Sequence, residues 1–310
     1  MLHLRVVVPS ELSEQVLHAL SGNASVTNLV LWQGVALKPK GDLVSCDVAR
    51  EDGSVVLEEL RGLGVERQGS IAVEMIDAAI SDAADAAERA AEGSPGNAVV
   101  WEEVEAQTSE SAELNASYLI FLVLATVIAA VGILTDSVVL IIGAMVVGPE
   151  FGPLAGLCVA AVQRRWALAV RSLVALVLGF PIAAAATWLA VLALRAWGTT
   201  PATLARTQTL FISHPDAYSV IIALLAGVAG ILSLSTSKSG ALIGVLISVT
   251  TVPAAANMAV AAAYSDWGEL RGAALQLAVN LGCAVAAGMA TLGAQRALWA
   301  VRARRRMRPA

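Results

Sequence analysis

A glutamate stands inside one of the most apolar stretches of the sequence, in the segment VVGPEFGPLAG (residues 146–156). Glu150 lies between Pro149 and Pro153, and a proline inside a helix removes a backbone donor and clashes with the preceding turn. Carbonyl groups freed in this way cost several kcal/mol in hydrocarbon unless protein or water satisfies them. The segment therefore predicts a broken membrane helix beside a cavity or a packed partner, with a carboxylate at the break that can bind a proton or a cation.

Two interpretations of this segment stay open from the residues alone. An acidic residue in the first turn of a half-helix is also stabilised by the backbone N–H groups there, without any ligand. Gly148, Gly152 and Gly156 follow four-residue spacing, which favours close helix packing. The alternative is that the small residues let a permeating solute approach the backbone.

A second set of polar residues accompanies Pro253 in a later apolar stretch, and in membrane helices such residues form either interhelical hydrogen bonds or part of a solute site. We expect an ion or substrate site made of Glu150, Thr250, Thr251, Asn257 and Asn280. We expect the helix breaks that build it at Gly148, Pro149, Gly152, Pro153 and Pro253.

The two halves of the apolar region align after a shift of 101 residues, which places residues 140–166 over residues 241–267. An Ile-Gly pair, a tryptophan and the proline-bearing segment coincide, and Thr251 takes the position of Glu150. The repeated unit contains three apolar stretches, so the second copy must cross the membrane in the opposite direction. This pattern predicts an inverted-topology repeat, which is typical of secondary transporters.

The composition requires a membrane protein. Of the 310 residues, 57% are hydrophobic and 15% are charged, and the mean hydropathy is +0.72. These values are too apolar for a soluble chain of this length. Stretches near the ~20 residues needed to cross a bilayer predict six transmembrane helices, at roughly 116–135, 137–163, 166–195, 217–235, 240–264 and 270–300.

Residues 1–76 form a different kind of domain, since strand-like and helix-like segments alternate in the order βαββαβ. This order predicts an α+β ferredoxin-like soluble domain. Residues 77–115 predict an acidic helical linker and a membrane-surface helix, residues 116–300 the six-helix membrane domain, and residues 301–310 a basic cytoplasmic tail.

The charge pattern predicts a multi-pass protein of the cell inner (plasma) membrane with both termini in the cytoplasm. No signal peptide opens the chain. Six spans return the C-terminus to the side of the N-terminus, and this side then holds Arg164, Arg165, Lys238 and the basic tail. Hydrolytic and phosphate-binding motifs are missing, and the three cysteines have no metal spacing. We therefore expect no enzyme activity, no cofactor, no metal and no nucleic-acid partner.

Two segments resemble a known family of membrane proteins. Residues 117–157, with the run IGAMVVGPEFGPLAG, and residues 237–261 are similar to the hydrophobic-domain family of prokaryotic membrane proteins called domain of unknown function 389. Many members carry an apolar residue at the position of Glu150, so the sequence departs from the family pattern there. The resemblance implies the membrane architecture and no particular substrate.

Together these observations predict a transporter or channel-like protein for a small solute or ion. The soluble domain would regulate it or mediate assembly, and we expect a homo-oligomer because such domains pair through their sheets. The alternative is a membrane sensor or scaffold without transport, whose soluble domain binds a ligand or a partner.

Overall fold

The computed structural model describes residues 1–76, 79–91, 104, 108–109, 111–204, 212, 216–236 and 241–306. Within these ranges the side chains of residues 235, 236, 241–250 and 299–306 lie outside the description. The chain divides into two compact units, Met1–Glu103 and Val104–Ala310.

The N-terminal unit contains a four-stranded antiparallel sheet in the order β2-β3-β1-β4. Its strands are β1 (Leu2–Val8), β2 (Val26–Leu37), β3 (Lys40–Val48) and β4 (Ser70–Met75). Its helices are α1 (Ser13–Ser21), α2 (Gly53–Gly62), α3 (Val65–Gln68) and α4 (Asp82–Ala90). The predicted order βαββαβ is confirmed, and the strand order is that of a split βαβ unit.

Buried and more exposed side chains alternate along β1, and this alternation shows which face of the sheet packs against the helices. Leu4 and Val6 are fully buried and belong to the same core as Val16 of α1 and Leu60 of α2. The residues between them point to the other face, because successive side chains in a strand alternate. His3 on that face bonds through Nδ1 to Asp47 Oδ1 of the neighbouring strand at 2.7 Å.

The second unit is helical. It contains α5 (Ala116–Leu134), α6 (Val138–Val147), α7 (Phe151–Gln163), α8 (Trp166–Ala196), α9 (Ala217–Thr236), α10 (Ala241–Ala263) and α11 (Trp267–Arg306). Among the described residues, four helices are long and apolar enough to cross a membrane, namely α5, α8, α9 and α11. The pair α6 and α7 is bent by 53° and makes a fifth candidate span.

Helix α10 forms the centre of this unit. It packs against all six of the other helices from α5 to α11, and its residues 251–256 are all buried. Helix α10 has 23 residues. The part whose side chains are described, Thr251–Ala263, is apolar.

The prediction of a break at Pro253 is wrong, because α10 continues through this residue. A proline within a membrane helix is tolerated where neighbouring helices re-satisfy the freed backbone groups. Pro253 has that protection in the centre of the unit, whereas Pro149 lies at a true interruption. Pro181 is likewise inside a continuous helix, α8.

Candidate functional site

The bend between α6 and α7 is made by residues 148–150. Gly148 has an extended backbone (φ −63°, ψ 127°), as expected for a residue that precedes a proline. Pro153 is the third residue of α7, where proline is tolerated since the first-turn N–H groups have no partner within the helix. Gly148 and Pro149 therefore form the break, whereas Gly152 and Pro153 lie in the first turn of α7.

Glu150 is fully buried at this bend and meets the central helix. The Thr251 hydroxyl of α10 donates a hydrogen bond to Glu150 Oε1 at 2.8 Å, and Thr251 is also buried. Tyr118 of α5 lies close enough to interact electrostatically with Glu150. The structure thus brings together two of the predicted site residues, and they are the two that occupy one position in the 101-residue alignment.

The glycines of α7 are covered by the segment that precedes α5. A Cβ atom on Gly156 would lie 2.6 Å from Ser172 Oγ and 2.9 Å from Ala112 Cβ, and a Cβ atom on Gly152 would overlap the backbone of Ser111. The four-residue spacing therefore produces close packing at these two positions, in agreement with the structural interpretation of the glycines.

The hydrogen bonds described for Asn257 and Asn280 are made to residues of α11. Asn257 Nδ2 donates to Glu269 Oε2 at 3.3 Å, and Gln276 Nε2 donates to Asn280 Oδ1 at 3.3 Å. Asn257, Gln276 and Asn280 are all buried. The Thr250 side chain lies outside the described residues.

Sequence reasoning missed Glu269 and Gln276 as part of this polar system. The available signal was spacing, because residues 269, 276 and 280 lie seven and eleven positions apart and so share one face of α11. Across the described residues, no group of three or more His, Cys, Asp or Glu side chains is arranged to hold a metal ion.

An apolar crevice of about 430 Å³ separates α8 from α11, with α7 and α10 at its base. Twelve of its lining residues form six pairs whose members are 101 positions apart. The pairs are Leu157 and Met258, Leu173 and Ala274, Leu176 and Leu277, Val177 and Ala278, Phe180 and Leu281, and Pro181 and Gly282.

The same spacing relates two arginine contacts at helix ends. Arg195 of α8 donates from Nη1 to the carbonyl oxygen of Ala263, the last residue of α10. Arg296 of α11 donates from Nη1 to the carbonyl oxygen of Val162 near the end of α7, at 2.6 Å. Both donors and both acceptors are 101 positions apart, and cations are favourable at helix C-termini.

The turns after α7 and α10 are also alike. Arg164 and Ser265 both adopt left-handed backbone conformations with φ 58°. The next residue in each turn donates a hydrogen bond from its backbone N–H. In the first turn, Arg165 donates to the carbonyl oxygen of Ala160 at 2.9 Å. Asp266 donates to Ala261 at the same distance in the second turn.

The apolar helices and the bent candidate span are typical of an integral membrane protein of helical type. The family model described as Domain of unknown function (DUF389) matches residues 145–290, which include the bend and α10. The resemblance of residues 117–157 and 237–261 to this family is therefore confirmed by the match over residues 145–290.

The chain is also similar to an archaeal protein. An uncharacterized protein of Methanocaldococcus jannaschii is 30% identical over 155 residues, which cover 50% of this chain and 47% of the relative. The chain thus matches about half the length of that protein. No solved structure matches the chain.

Proposed function

We propose that the protein is a membrane transporter or channel-like protein for a small solute or ion, and that Glu150 binds a proton or cation at its centre. One observation carries the proposal. A carboxyl side chain is fully buried at the interruption of a candidate span and bonds to a hydroxyl of the central helix. Ionisable groups inside membrane segments are rare and mark ion pathways.

The energetic argument concerns the charge of Glu150. Burying an ionised carboxylate is costly unless it is compensated by partners, and a neutral carboxyl group avoids this cost. The balance between the two forms at Glu150 therefore responds to a proton or cation that arrives at the bend. Flux of protons and of a panel of ions into liposomes that contain the purified protein tests the proposal.

The architecture that we propose for this function has six spans in two inverted three-helix repeats, with both termini on the cytoplasmic side of the plasma membrane. Support comes from the paired crevice residues, the two arginine contacts and the two equivalent turns. All of these follow one shift of 101 residues. On this basis α5 to α8 form one repeat and α9 to α11 the other.

Residues at matching positions of α8 and α11 provide a test of this architecture. Trp197 is 78% exposed and Leu298, 101 positions later, is 61% exposed. In a chain that lacks Cys46, Cys158 and Cys283, we expect Trp197→Cys to react with a membrane-impermeant maleimide from outside whole cells. Leu298→Cys should react only after the cells are opened. Labelling of both from the same face would contradict the inverted repeat.

The sensor or scaffold alternative has one observation in its favour. The backbone of Ser111 and the side chain of Ala112 fill the space against Gly152 and Gly156, directly after the bend. This segment follows the N-terminal unit in the sequence, so a sensor of this kind would use it to act on the bend. A purified protein that moves no ion but changes cell behaviour when residues 1–95 are deleted would favour this alternative.

Assembly through the sheet is the role that we propose for β2. Trp32 is 45% exposed on this strand, and three further apolar side chains are exposed there, Val30, Val35 and Leu37. We expect Trp32→Glu to lower the mass of the detergent-solubilised particle by at least one subunit, as measured by light scattering. Ile80→Glu, at an exposed position outside the sheet, is the matched control. Equal masses for wild type and Trp32→Glu would contradict this role.

A further inference from the structure

Four polar side chains lie on α10 and α11 between the turn that joins these helices and the depth of Glu150. Glu269 lies in the first turn of α11 and is half-buried, while Gln276 and Asn280 are buried on the same face of the helix. Asn257 of α10 bonds to Glu269, so this face of α11 is in contact with α10 at the level of Asn257.

The depth of each group follows from the helical rise of 1.5 Å per residue, counted from Ser265 in the turn. Glu269 then lies at about 6 Å, Asn257 at about 12 Å and Gln276 at about 16 Å. Asn280 and Thr251 lie at about 22 Å and about 21 Å, and therefore at one level. A polar group recurs every ~5 Å from the turn to the Glu150–Thr251 pair.

Two of these side chains carry a buried acceptor atom without a partner in the described part of the chain. Asn257 Oδ1 and Gln276 Oε1 have no hydrogen-bond partner among the described residues. Buried polar atoms are normally satisfied by protein or by water, since an unsatisfied one costs about 1–3 kcal/mol. Both atoms therefore favour a hydrated interior along this part of α11.

The equivalent positions in the other half of the unit are not polar. Shifting back by 101 residues replaces Glu269, Gln276 and Asn280 by Leu168, Ala175 and Gly179. A Cβ atom on Gly179 would lie 2.8 Å from the Tyr118 ring, so that space is already filled. At these three positions the polar side chains of one half are thus replaced by apolar residues in the other.

We propose that Glu269, Asn257, Gln276 and Asn280 form a proton access route from the α10–α11 turn to Glu150. This rests on the proposed function, and it gives that function a substrate, the proton, and a side of entry. With the N-terminus in the cytoplasm, the route opens to the outside of the cell.

A proton fits this route better than a metal ion does. Ca²⁺ takes six to eight oxygen ligands and Mg²⁺ requires an octahedral shell, whereas the polar groups here occur in pairs at successive depths. A proton passes between such pairs along bridging water. When it reaches Glu150, a hydronium ion becomes water and the carboxylate gains one O–H bond, so the step needs no further reactant.

The charged groups around the route are compatible with this direction of entry. Asp266 and Glu269 stand at its mouth, where Asp266 Oδ1 accepts a hydrogen bond from the backbone N–H of Glu269. Arg195 is held at the same turn by the carbonyl oxygen of Ala263 and by the Tyr264 ring, 4.3 Å from its centroid. At the inner end, the Tyr118 side chain of α5 interacts electrostatically with Glu150.

Cysteine accessibility tests the route without relying on transport. In the background that lacks Cys46, Cys158 and Cys283, we compare Gln276→Cys with its counterpart Ala175→Cys. The probe is a small cationic methanethiosulfonate added to one face of the membrane. A thiol whose pKa is raised by about one unit in dry, apolar surroundings reacts roughly tenfold more slowly. We therefore expect Gln276→Cys to react roughly tenfold faster than Ala175→Cys, and only from the face that bears Ser265.

Asn280→Cys is a second reporter in case Gln276→Cys does not fold, and size-exclusion profiles identify the folded variants. Equal slow labelling of Gln276→Cys, Asn280→Cys and Ala175→Cys would overturn the route, and so would faster labelling from the opposite face. Proton flux in liposomes is measured in parallel. If the protein moves no protons but shows the expected labelling, the proposed function is contradicted and the hydrated route is supported. Flux with equal slow labelling keeps the function and removes this route.

Discussion

Replacing Glu150 by glutamine is expected to reduce pH-dependent flux to the level of empty liposomes. The amide has nearly the shape of the carboxyl group and keeps an oxygen that can accept the hydrogen bond from Thr251. It cannot gain or lose a proton, so a mechanism that loads a proton or cation on Glu150 loses its carrier. The measurement is the initial rate of flux as a function of the imposed pH gradient.

Two further variants make this result interpretable. Thr251→Val removes the hydroxyl donor. The loss of a hydrogen bond to a charged group costs about 1.5–3 kcal/mol, so we expect a roughly tenfold or larger reduction in the rate of flux. Glu113→Gln makes the same chemical change at an exposed ion pair with Arg171, and we expect it to keep the wild-type rate. Unchanged pH-dependent flux in Glu150→Gln would remove Glu150 from the mechanism.

The bend at Glu150 was predictable because its causes are local. Gly148 and Pro149 disfavour helix at their own positions, and the cost of exposed carbonyl groups in hydrocarbon requires protection of the bend. The contact with Thr251 is a long-range fact that local patterns cannot provide. It became accessible only through the 101-residue alignment, which places Glu150 and Thr251 at one position. In the inverted repeat that we propose, residues on the axis that relates the two units would meet their own counterparts.

The prediction failed at Pro253 because a proline in a membrane segment either ends the helix or lies within a continuous one. Pro149 is preceded by glycine and followed by a second proline four positions later, and the helix ends there. Pro253 has alanines on its C-terminal side and lies in a helix surrounded on all sides. The packing of neighbouring helices decides whether the helix ends or continues at the proline. The sequence of a single segment does not show which helices pack against it.

The polar face of α11 was missed for a different reason. Glu269 lies between the predicted spans 240–264 and 270–300, and a single glutamine such as Gln276 in an apolar stretch does not indicate a site. Their spacing with Asn280 becomes meaningful only once α11 is known to begin at Trp267 and to run without interruption. In the N-terminal unit, by contrast, alternation along β1 was sufficient, because one face of the sheet is covered by helices and every second residue must be apolar.

The second large effect is expected at Gly227 of α9, which contacts the backbone of α11. A Cβ atom there would overlap the carbonyl oxygen of Ala284, and a helix backbone cannot move aside as a flexible side chain can. Overpacking of this kind costs about 1–3 kcal/mol, so Gly227→Ala should lower the melting temperature in detergent by about 5 °C for a chain of this size. Gly293→Ala in α11 is the control, because no atom lies within 4 Å of its Cβ position, and alanine favours helix over glycine by about 1 kcal/mol. Equal melting temperatures for the two variants would show that α9 and α11 do not pack through Gly227.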